Sequence, residues 1–101
     1  VKGRLIGILT CASVLLSTAA FAADSAMFIT KCGGCHKKGG EAAPVNPADK
    51  AGVVWDKFFK RERHPVNISG SIAAGDLEIV VQYLVAHAAD SDQPEAAAIP
   101  K

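Results

Sequence analysis

The pattern of apolar and polar residues divides the chain into an uncharged leader, three helical stretches and two irregular segments. No charged residue interrupts the run from Leu5 to Ala20. Ser25 can then cap a short first helix over Ala26 to Lys31. From Gly33 through Gly39-Gly40 to Pro44-Val45-Asn46-Pro47, glycine and proline are too frequent for regular structure. Asp49 can cap a second helix in which Ala51, Val54, Trp55, Phe58 and Phe59 fall on one face, with Asp56, Lys57, Lys60 and Arg61 on the other. His64-Pro65 ends that helix, because proline disfavours a helical residue before it, and Ser69-Gly70 marks a turn. A last helix from Ala74 to Ala89 carries a stripe of Leu77, Val80, Val81, Leu84 and Ala88. Its cap is weak, since Ala73 stands where Ser or Thr would complete a capping box. From Asp90 onward no amphipathic period remains, which predicts a loose or partner-bound polar extension. No strand signal and no internal repeat emerge, so the expected class is all-α.

The leader has the form of a secretory signal. Lys2 and Arg4 precede the apolar run, and Ala20-Phe21-Ala22 is an A-x-A cleavage pattern, which places the cut after Ala22. A membrane anchor is the rival, but the run is short and no second basic cluster follows it. Cys11 leaves with the signal. The expected organisation is 1–22 signal peptide, 23–89 one domain and 90–101 C-terminal extension, in an exported, periplasmic protein without a membrane span after cleavage. With 11 Lys+Arg against 10 Asp+Glu the chain has no bulk charge for nucleic acid. Only 6% of residues are aromatic. A domain this small and poor in aromatics needs disulfides, a metal or a cofactor to complete its core.

Two cysteines remain to provide it, in Cys32-Gly33-Gly34-Cys35-His36. C-x-x-C-H is the attachment signature of haem c. Two intervening residues set the thiols at the separation of the two haem vinyl groups, and His36 is then held beneath the iron as the proximal ligand. Gly33 and Gly34 keep side chains away from the porphyrin edge. A zinc site fits less well, because His64 and His87 lie too far apart along the chain for the usual finger spacings. A thioredoxin-like pair lacks a βαβ context, and a disulfide across C-x-x-C is short and strained.

The order of features resembles a small class I cytochrome c: Phe28 before Cys32, the Cys32-Cys35-His36 motif, a proline loop, a tryptophan-bearing helix and a last helix carrying Tyr83. The segment from Tyr83 to Asp92, with Trp55 to Phe59 and the basic run to His64, is similar to small single-haem cytochromes of metal- and sulfur-reducing bacteria. The resemblance implies N- and C-terminal helices crossing over one covalently bound haem c, with Phe28 and Tyr83 paired at the crossing. It implies a proline-loop carbonyl, from Pro44 or Pro47, accepting the free N–H of His36. It also implies that the Trp55 indole binds the cofactor through a haem propionate, against plain core packing as the alternative. Lys57, Lys60, Arg61 and Arg63 would neutralise propionates or dock an acidic redox partner, or form a solvated face.

The family closes the other haem face with a methionine, and none follows His36; Met27, the single methionine, would have to unwind the first helix to reach it. Core packing is its expected job. His64 is the expected distal iron ligand, stiffened by Pro65, with His87, Asn67 or an open position as alternatives. The implied function is single-electron transfer between redox partner proteins through a bis-histidine, low-potential haem, without enzymatic turnover. The alternative is a ligand-binding or gas-sensing haem protein with an open or weakly held sixth position. A peroxidase would need distal acid–base groups beyond Arg63-His64, and self-association through the tail is a further possibility.

Overall fold

A computed structural model describes residues 24–101; the leader, its cleavage site and Cys11 lie outside the described residues. The chain forms helix α1 at 24–32, a 3-10 turn at Pro47–Asp49, α2 at Gly52–Lys60 and α3 at Ala74–Ala86. Among the described residues the only extended pairing is one isolated bridge between His36 and Ala42. The architecture is therefore helical, as the apolar periods predict.

Helix boundaries depart from the sequence pattern for identifiable reasons. Ser25 lies inside α1 rather than at its cap. The helix stops at Gly33, where an added Cβ would collide with the Ile29 carbonyl oxygen. Asp49 belongs to the 3-10 turn and accepts the Asn46 N–H at 2.9 Å instead of capping α2. The first N–H of α2, that of buried Gly52, has no partner within the helix and is satisfied by the Asp90 carboxylate at 2.9 Å. At its other end α2 closes at Lys60, ahead of His64-Pro65. Arg61 N–H bonds back to the Lys57 carbonyl, and Glu62 then adopts φ 50°, the left-handed turn that stops a helix. The last helix ends at Ala86, short of the expected Ala89, and Ala73 provides no side-chain cap.

The core gathers one face of each helix: Phe28 from α1, Trp55 from α2, and Val80, Tyr83 and Leu84 from α3, joined by Ala88 and Ile99. Phe28 and Tyr83 meet with ring centroids 5.5 Å apart and tilted 33°, the aromatic pairing expected between the first and last helices. Lys31 and Asp76 add a half-exposed ion pair at 3.6 Å. Met27 packs against this cluster, as expected. The stripe of α2 is divided, however: Trp55 is buried, whereas Val54 is 45% exposed.

The largest correction concerns 90–101. The tail is not a loose extension but part of the core, with Ile99 only 3% exposed. It lacks an apolar period because backbone hydrogen bonds hold it, so only one residue has to face inward. Ala89 N–H reaches the Lys50 carbonyl, Ala48 N–H the Glu95 carbonyl and Glu95 N–H the His87 carbonyl, each at 3.0 Å. Fully buried Asn46 accepts the Ile99 N–H at 2.8 Å and donates to the Ile99 carbonyl at 3.0 Å. No described helix is long and apolar enough to cross a membrane. Replacing Ile99 by alanine is expected to cost about 2–5 kcal/mol in denaturant unfolding. Val53→Ala, at a site 58% exposed, should be nearly neutral.

Candidate functional site

The segment after α1 is a tight sequence of turns that sets Cys32, Cys35 and His36 on one ledge. His36 N–H donates to the Cys32 carbonyl at 2.9 Å, which winds the chain once between the first thiol and the imidazole. The Cys35 carbonyl then accepts from Ala42 at 3.0 Å, folding the glycine-rich loop back beneath the motif. Gly34 has open space where a Cβ would stand, so the chain's own packing does not demand glycine there. Both cysteines are free thiols, Cys32 half-buried against the core and Cys35 exposed, with its sulfur 3.8 Å from a Glu41 carboxylate oxygen. Burial pushes the Cys32 thiol up from 9.0 to about 11, because the thiolate loses hydration there.

His36 points its Nδ1 at the carbonyl oxygen of Ala43, 2.8 Å away. The accepting carbonyl is thus neither that of Pro44 nor that of Pro47. Pro44 restricts the residue before it to extended backbone, and this presents the Ala43 carbonyl to the ring. The Pro47 carbonyl is occupied by the buried Trp55 indole N–H at 2.8 Å. That bond also corrects the role expected of Trp55: its one donor is engaged within the protein rather than free for a carboxylate, and the ring is core, 3% exposed.

His64 lies on the connection between α2 and α3, in a turn closed by its own Nδ1, 2.8 Å from the Val66 carbonyl. The Val66 N–H stands 3.3 Å from the same nitrogen. A carbonyl oxygen can only accept, so the Nδ1 of His36 carries the hydrogen toward Ala43; at His64 the Nδ1–H tautomer donates to the Val66 carbonyl and the other tautomer accepts from the Val66 N–H. In the Nδ1–H tautomer a ring keeps its lone pair on Nε2, the arrangement second partners impose on metal-binding histidines. The two rings are 6.0 Å apart between centroids, with planes at 84°. A metal held between two imidazoles at roughly 2 Å from each nitrogen, plus roughly 1 Å to each ring centre, separates the centres by about 6 Å. An edge-to-face ring pair also spans this distance.

The remaining sequence candidates are engaged elsewhere. His87 donates from Nδ1 to the Gln93 carbonyl at 2.8 Å and lies against Tyr83 at 4.8 Å, where it fastens the tail. The Asn67 side-chain oxygen accepts from Ser69 N–H at 3.0 Å and from its hydroxyl at 2.6 Å. Beside His64, with Phe58 at 6.4 Å, a cleft is formed by Val54 and Phe58 with Lys57, Arg61 and Arg63 around them. Among the described residues no group of three or more His, Cys, Asp or Glu is disposed to hold a metal ion. Two imidazoles alone do not make a zinc site, which takes three or four protein ligands. They do match the axial pair of a metal whose other ligands come from a macrocycle, so the donor set fits haem.

Compared with protein-family models, with curated proteins and with solved structures, the chain matches none.

The unequal burial of the thiols has a chemical consequence. In the protein with both thiols free, two pKa units leave Cys32 about 100-fold less thiolate than an ordinary cysteine at pH 8. Alkylation followed by mass spectrometry should therefore label exposed Cys35 first at pH 8, with Cys32 catching up as pH rises toward 11. The sign for stability follows: the Cys32 contribution is intact below pH 9 and is lost as pH rises from there through 11. Equal labelling rates at pH 8 would contradict the burial of Cys32.

Proposed function

We propose that this chain is a periplasmic monohaem c-type cytochrome of class I-like fold that carries single electrons between redox partner proteins. Cys32 and Cys35 would hold the haem through thioethers, with His36 proximal and His64 distal to the iron. The observation that carries the proposal is the His36–His64 pair, with ring centroids 6.0 Å apart and each Nδ1 2.8 Å from a backbone carbonyl. The C-x-x-C-H spacing and the Phe28–Tyr83 contact support the same reading, and the leader before Ala23 supports export.

Haem c supplies a one-electron Fe(III)/Fe(II) couple. The protein's part is to keep the surroundings the same in both states. His36 is oriented by the Ala43 carbonyl and His64 by the Val66 carbonyl, so neither imidazole has to turn when the charge at the site changes. Lys57, Arg61 and Arg63 place positive charge around the apolar surface of Val54 and Phe58. That combination suits an apolar ring bearing carboxylates, and it supplies a cover for the exposed face of Val54. Cys35 is exposed, which puts the thioether edge where a partner can approach. Imidazole in place of a thioether sulfur favours the oxidised state, so the potential should fall below that of His/Met cytochromes.

The test is the full-length chain expressed in a host that matures c-type cytochromes. The expected product carries covalent haem, is low-spin by optical and electron paramagnetic spectra, and refuses carbon monoxide after reduction. His64→Ala should become high-spin and bind carbon monoxide, whereas His87→Ala should remain low-spin. A chain recovered without covalent haem would overturn the proposal. Immediate carbon monoxide binding by the unaltered protein would move it to the ligand-binding alternative.

A further inference from the structure

The loop between Ala42 and Pro47 holds the carbonyl that orients His36, and it is pinned at both ends. On one side Ala42 N–H bonds to the Cys35 carbonyl at 3.0 Å. On the other, Asn46 is fully buried with every polar group of its amide engaged by a segment 53 residues away. Its oxygen takes the Ile99 N–H and its nitrogen gives to the Ile99 carbonyl, a two-way pairing that fixes both position and rotation. The Asn46 backbone N–H is held by Asp49, and the next carbonyl, that of Pro47, by the Trp55 indole. Between the two anchors lie only Ala43, whose backbone is restricted by the following proline, Pro44 with its fixed φ, and Val45 packed on the core.

We propose that Asn46 is a positioning residue for His36: by clamping the C-terminal segment at Ile99, it holds the Ala43 carbonyl at hydrogen-bonding distance from Nδ1. The tail thereby sets the electron-donating strength of the proximal imidazole. This rests on the haem reading above and adds to it a control of potential from the end of the chain. A firm Nδ1–H to carbonyl bond increases the negative character of the ring and makes it a better ligand to oxidised iron. Release of the clamp lets the loop swing, weakens that bond and raises the midpoint potential.

A structural role for Asn46 would also lower stability, so the comparison needs a control that destabilises without touching the clamp. Ile99→Ala is that control. It removes the buried side chain but keeps both backbone groups that Asn46 binds. The experiment measures midpoint potential, the nitrogen-15 and proton resonances of His36 Nδ1–H, and the thermal midpoint in the haem-loaded full chain and in both variants. The expected result is an upward shift of potential and a moved His36 resonance in Asn46→Ala. Ile99→Ala should lose thermal stability with neither of those changes. If Asn46→Ala does not accumulate folded, Asn46→Ser, which is uncharged and too short to pair with both Ile99 backbone groups, takes its place with the same expected direction.

An unchanged potential and resonance in the Asn46 variant overturns the inference while leaving the haem reading intact. So does an equal shift in Ile99→Ala, which would make the effect one of general loosening. Absence of covalent haem from the unaltered chain overturns both, and is seen in the absorption spectrum before any variant is compared.

Discussion

Closure of the last residues onto the loop at Asn46 is the constraint on which the rest of the structure depends. With few aromatic residues, the three helices cannot enclose a core alone, and α2 and α3 are short. Ile99 supplies the missing apolar surface. Bringing it there requires the backbone around it to enter the interior, where an unpaired amide or carbonyl costs about 1–3 kcal/mol. Asn46 answers that requirement because its amide has one donor edge and one acceptor edge, the same complement a neighbouring strand would present. An aspartate offers no donor and a leucine offers neither. The buried asparagine is thus the condition under which the tail can be part of the core.

The same closure explains how α2 begins. Ala51 has no side chain able to cap it, and the first amide of the helix is met by Asp90, just past the end of α3. A helix whose start depends on a residue 38 positions away is stable only when α3 and the tail are already in place. Trp55 then follows from the first turn of α2 to the Pro47 carbonyl. The proline loop, the entry of α2 and the end of α3 form one cooperative unit. His64 hangs from the opposite end of α2, beyond the Glu62 turn, and is oriented by bonds within its own turn. The two histidines are consequently held by different means, one by the core and one locally.

What was legible in the sequence follows from the range of each interaction. The helical class, the amphipathic α3 and the weak cap at Ala73 are local properties, and they were readable from period and residue type. The Phe28–Tyr83 contact came from resemblance to a known arrangement. The errors lie where a distant partner decides. Asp49 satisfies every local rule for a helix cap, yet it serves the turn at Asn46, and Asp90 takes the capping role. Trp55 looked available for a ligand because nothing nearby in sequence claims its N–H; the Pro47 carbonyl does so only after the chain turns back. The tail from Asp90 has no apolar period because a segment held through its backbone needs none. Val54 satisfied the helical period and still lies exposed, since periodicity identifies an apolar face without saying what covers it.

The three histidines make the same point about the candidate site. All three direct Nδ1 to a backbone carbonyl at 2.8 Å, so tautomer alone distinguishes none of them as a ligand. Position separates them. His87 lies against Tyr83 and its carbonyl partner belongs to the tail, which makes it a fastener of the closure. His36 and His64 come from different segments, and their ring centroids lie 6.0 Å apart with planes at 84°. A packed histidine pair would normally be drawn together by a shared hydrogen bond or a carboxylate, and here each ring instead turns its donor outward to its own backbone. Under the haem reading proposed above, these two histidines would hold the iron and the adjacent thiols would keep its macrocycle in place.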